Sequence, residues 1–114
     1  MESLQSIKLT PITRRRIPYY QVLIDPAVKR ISITIQNNNR QSVIVARSQT
    51  STDTIMDGNW SYVFNLAGND TRVHEMGFLE ELDNRWLTFR LDNCPNVTNV
   101  LITIDILKLH QGQG

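Results

Sequence analysis

Cysteine is nearly absent, with Cys94 the only one in 114 residues. A lone thiol forms no intrachain disulfide, so the sequence points to a reduced compartment or to a fold that needs no staples. The two histidines, His74 and His110, lie far apart, and with Cys94 they lack the close spacing of a zinc site. The five glycines at 58, 68, 77, 112 and 114 never cluster, so no phosphate-cradling loop is present. No Gly-x-Ser-x-Gly elbow offers a nucleophile, and Cys94 follows Asp92 in Asp92-Asn93-Cys94-Pro95, an acid that raises a thiol pKa instead of activating it. No apolar run approaches the ~18 residues of a membrane span, and Met1-Glu2-Ser3-Leu4-Gln5 lacks the build of a secretory signal. The expectation is a protein without catalytic set, cofactor or metal, and without a membrane. A calcium ion at Asp53 and Asp57 is the least excluded metal, but the ligand spacing of an EF-hand is missing.

What the chain does contain is short runs of β-branched and aromatic residues separated by turn signals. Tyr19 to Ile24 ends at Asp25-Pro26, and Ile31, Ile33 and Ile35 alternate with Ser32 and Thr34. Asn37-Asn38-Asn39-Arg40 tolerates left-handed backbone and leads into Val43-Ile44-Val45, which predicts a hairpin between these two runs. Trp60 to Leu66 reads as a strand, followed by a turn at Ala67-Gly68-Asn69-Asp70 and an ambiguous run to Gly77. Phe78 to Leu82 is the only helix-tolerant stretch. Leu87, Phe89 and Leu91 share one face of the next strand, and Val100, Ile102, Ile104 and Ile106 line a long closing strand that is apolar on both sides. The fold expected is all-β: an antiparallel β-sandwich or jelly-roll-like barrel of about 6–8 short strands. Its core should hold Ile31, Ile33, Ile35, Val43, Val45, Phe64, Phe89, Ile102 and Ile104.

Three segments are expected. Residues 1–18 read as an extended N-terminal arm, because Pro11 and Pro18 remove ladder donors. Residues 19–110 form a single domain, and 111–114 a polar tail. Charge is uneven along the chain: residues 1–48 carry eight bases against two acids, and residues 49–114 four bases against nine acids. A basic arm is suited to an acidic neighbour, with Arg14, Arg15 and Arg16 as planar forks for carboxylates and Ile7, Leu9, Ile12 and Ile17 as apolar anchors. The candidate acidic partner surface is Glu75, Glu80, Glu81, Asp83 and Asp92.

Function therefore reads as structural and non-enzymatic. The expected partners are other copies of the chain or neighbouring structural proteins, as in a small virus or bacteriophage component such as a capsid cement, head-tail or baseplate piece. That implies a virion, or the cytoplasm of the producing cell. One alternative is a carbohydrate- or ligand-binding β module, for which Trp60, Tyr62 and Trp86 would need to form an exposed platform. Another is a single-stranded nucleic-acid binder, in which Tyr19 and Tyr20 would stack bases beside the arginine triplet. The net-acidic remainder of the chain argues against it.

Overall fold

The computed structural model describes residues 4–14, 16–48, 60 and 62–110. Arg15, the polar loop with Asp53 and Asp57, and the 111–114 tail lie outside the described residues, and only the backbone of Arg14 is described. Among the described residues there are nine strands and a turn of 3-10 helix at Val97–Asn99. In chain order they are β1 (Gln5–Lys8), β2 (Ile12–Arg14), β3 (Ile17–Leu23), β4 (Val28–Asn37), β5 (Val43–Ser48), β6 (Tyr62–Leu66), β7 (Thr71–Gly77), β8 (Trp86–Asp92) and β9 (Val100–Leu109). Among the described residues no helix is long and apolar enough to cross a membrane.

The strands form two antiparallel sheets, ordered β1-β9-β4-β7 and β2-β3-β8-β5-β6. With β2 set aside as an added edge, this is the order of a jelly roll: four strands face four, and most connections pass from one sheet to the other. Only β2–β3 and β5–β6 join neighbours in the same sheet. The alternation expected of the strands decides which side faces the partner sheet. Ile31, Ile33 and Ile35 of β4 and Ile102, Ile104 and Ile106 of β9 meet Val43, Val45, Leu87, Phe89 and Leu91 from the second sheet, all buried. Phe64, expected in the same core, is only partly buried and packs at its margin.

Two expectations are corrected. The Asn37–Arg40 segment does not close a hairpin, since β4 belongs to the first sheet and β5 to the second. Its asparagines do not adopt left-handed backbone; Arg16, Asn69 and Asn93 do. Instead the side chain of Asn37 is fully buried and donates from Nδ2 to the carbonyls of Gln41 (3.0 Å), Leu66 (3.1 Å) and Ala67 (3.1 Å). Asn39 donates to Asn37 Oδ1 and to the Asn96 carbonyl, and Asn38 N–H reaches the Asn99 carbonyl. These amides tie together the three arches β4–β5, β6–β7 and β8–β9 where they cross between sheets. Gly68 completes the junction, because a Cβ there would overlap the Arg40 carbonyl.

The N-terminal segment is extended, as the prolines require, but it is not a free arm. β1 pairs with β9 from Gln5↔Ile106 to Lys8↔Thr103, and β2 pairs with β3. Ile7 packs on the core and Leu9 is inside it, 6% exposed. Pro11 falls between the two strands. Pro18 pairs only with Thr13, because the β3–β8 ladder begins at Tyr19, so its missing N–H breaks no bond to β8.

Candidate functional site

The strands run between two ends of the sandwich, and the chemistry-bearing side chains divide between them. One end holds the β2–β3 turn at Arg16, the Asn-tied arches and residues 93–99. The other holds the β3–β4 turn, the loop from Phe78 to Arg85 and His110. The residues expected to act together as an acidic surface are dispersed. Glu75 sits on β7 and pairs with Arg30 (3.5 Å), and Asp92 pairs with Arg90 (3.2 Å) at the opposite end from Glu80, Glu81 and Asp83. Exposed pairs of this kind contribute only ~0–1 kcal/mol.

The expected anchors are also divided. Ile7 and Leu9 serve the chain's own core, whereas Ile12 is 48% exposed on β2 and Ile17 is half-buried. Arg16 is exposed and left-handed, with φ 67°, in the turn joining β2 to β3. Tyr19 and Tyr20, which a single-strand binder would use for stacking, are both buried. Tyr62 and Trp86 lie on opposite faces of the second sheet: Tyr62 is paired with Arg47 on the side facing the first sheet, and Trp86 alternates with inward Leu87. They form no common platform, and the half-buried Trp60 has its indole nitrogen buried.

The Phe78–Arg85 loop is the feature that sequence reasoning missed. It is a series of bends, not helix. Asp83 accepts hydrogen bonds from the Leu79 N–H (2.7 Å) and the Glu80 N–H (3.1 Å), which fixes the turn. Beneath it Arg85, 6% exposed, donates to the carbonyls of Val28 and Glu80 and to His110 Nε2 (3.2 Å), and its guanidinium lies 4.2 Å from the Phe78 ring centroid. This tether leaves Leu79 91% and Leu82 93% exposed, on either side of Glu80 and Glu81. The signal was present in the sequence as two leucines inside a run of acids with no strand alternation around them.

At the opposite end lies a groove of about 580 Å³. Ile17, Pro18 and Pro95 give it one apolar wall, while Arg16, Gln41, Asp92 and Asn93 make much of the rest of its lining polar. Cys94 also lines it, and burial pushes its thiol pKa up. Asp92 in the groove is already held by the Arg90 guanidinium.

A third cluster closes the side of the sandwich between β6 and β7. Arg72 donates to the Tyr62 hydroxyl (3.1 Å) and lies 4.2 Å from the Phe64 ring centroid, and Tyr62 stacks on His74 at 6.0 Å. Burial, and then the charge of Arg47, lower the His74 pKa. The space left within this cluster is about 10 Å³, room for no more than one water, so it is a plug rather than a pocket. Among the described residues no three His, Cys, Asp or Glu side chains are grouped to hold a metal ion. No family model matches the chain, and no curated protein or solved structure is detectably similar to it.

Proposed function

We propose that the protein is a non-enzymatic assembly component, a small jelly-roll subunit that works by joining neighbouring subunits. The observation that carries this reading is the Leu79–Leu82 tip. Single exposed leucines are ordinary. Two leucines above nine-tenths exposure, held outward by a loop that is itself tethered, are a surface shaped for contact. Full burial of each would contribute about 1.5–3 kcal/mol. The jelly-roll order occurs in viral capsid domains and in lectins. By that analogy the particle role, a virus or bacteriophage cement, head-tail or baseplate piece, is the first form of the proposal. A sugar-binding role is less favoured, because Tyr62 and Trp86 face different ways.

The mode of contact differs from a reaching arm. Ile7 and Leu9 are engaged at home, so contacts would be made by the folded ends of the sandwich. Sedimentation velocity from micromolar to ~1 mM protein, where an association of about −4 kcal/mol is half complete, tests the reading. The expected result is self-association that weakens as salt rises. A monomer at every concentration and salt would overturn it.

A further inference from the structure

We propose that the tip of one copy docks into the Arg16 groove of a second copy, so that the chain assembles head to tail. The inference rests on the assembly reading above and names the two surfaces it would use. The tip from Leu79 to Asn84 carries two exposed leucines, and its only charges are Glu80, Glu81 and Asp83. Lys29 and Lys108 stand beside the base of the loop and leave the tip itself acidic. The groove supplies the complement, with an apolar wall from Ile17, Pro18 and Pro95, polar lining from Gln41 and Asn93, and the exposed Arg16 beside them. Arg40, on the arch leading to Gln41, adds a second exposed cation at that end. The acid in the groove, Asp92, is already bound by Arg90 and offers little repulsion to an incoming carboxylate.

The two surfaces are not on one face. β8 begins directly after the tip and ends at the groove, and its seven residues span about 24 Å. A tip therefore cannot fill the groove of its own chain. Two different patches at opposite ends of one molecule define a heterologous contact, which propagates and gives a ring where the rotation closes and a filament where it does not. Apolar side chains between acids on one side, and a cation beside an apolar wall on the other, give both affinity and orientation. The reversed docking would set like charges against each other.

Complementation between two variants tests this. L79S/L82S removes the tip but keeps the groove; both leucines are so exposed that folding should be unaffected, which circular dichroism checks. R16E/Q41E makes the groove margin acidic but keeps the tip; both side chains are exposed, and only the Gln41 backbone is used internally. L79S/L82S alone should associate at least about 100-fold more weakly than the parent, the effect expected of losing two buried leucines, and R16E/Q41E alone should also associate more weakly, because its added carboxylates face the acids of the tip. An equimolar mixture should form a dimer and nothing larger, because each pair has one intact tip and one intact groove. Variants that assemble like the parent would overturn this inference while leaving the assembly reading standing. A mixture that stays monomeric would also overturn it, and a parent that is monomeric throughout would overturn both.

Discussion

Asn37 shows how much one amide does in this fold. Its Nδ2 meets three backbone carbonyls and its Oδ1 accepts from the N–H and the side chain of Asn39, and the Asn37 side chain itself is fully buried. Asn37→Ala would leave several buried groups unpaired, each costing about 1–3 kcal/mol. The variant should lose roughly 3 kcal/mol or more in urea unfolding, while Gln36→Ala next to it, exposed on β4, should change stability by less than ~0.5 kcal/mol. Tyr20 is the corresponding case for pH. Its ring is fully buried and its hydroxyl donates to Val100 O (3.0 Å) and Val97 O (3.2 Å). Burial, and to a lesser degree Cys94, push its pKa from 10 to about 12. Folding thus favours the neutral phenol. That contribution is whole below pH ~10 and is lost as pH rises from there toward 12. Ultraviolet titration should show a late-ionising phenol, and Tyr20→Phe should remove that step and flatten the loss of stability above pH 10.

At the scale of the strand, β1 carries the clearest consequence. It covers one side of β9, and Leu9 at its end is 6% exposed in the core. Leu9→Ala should cost ~2–5 kcal/mol, like other large-to-small core changes. Removing residues 1–9 should do more, since it also bares the backbone of β9 along an apolar edge. A truncated protein that aggregates or melts well below the full chain in differential scanning calorimetry is expected; an unchanged melting temperature would show β1 to be dispensable. The strands themselves were legible because period-two alternation survives in Ile31–Ile35 and Val100–Ile106. β1 and β2 were not, because Ile7 and Leu9 alternate over too few residues before Pro11, and a three-residue strand after it is too short, to tell a strand from an extended arm. Alternation also carries no information on which sheet a strand joins. The Asn37–Arg40 segment could be read as a hairpin from its residue types alone, and only the burial of the amides shows that it bridges the sheets. The Leu79–Leu82 tip was obscured for a related reason: leucines beside glutamates look helical in sequence, and Asp83 and Arg85 decide otherwise through backbone contacts.

Across the whole molecule six of the eight connections between consecutive strands pass from one sheet to the other, and each sheet is assembled from both ends of the sequence. β1 binds β9 with Gln5 opposite Ile106, and β3 binds β8 with Leu23 opposite Trp86. Neither sheet can form from a contiguous piece of chain, so neither can melt alone. Unfolding should therefore be a single transition, with the near-ultraviolet signal of Trp60 and Trp86 and the far-ultraviolet signal of the strands changing together. Non-local pairing also sets the rate, since the entropy of closing long loops precedes the contacts that offset it; folding in milliseconds to seconds is expected, as for other β-sandwiches. The Asn37 junction ties three crossings at one end, so Asn37→Ala should lower the midpoint of the whole transition, by roughly 4–8 °C per kcal/mol for a domain of this size, without splitting it. Two separated transitions in the variant would show that the arches are locally stable units and that the amide network is not what couples the sheets.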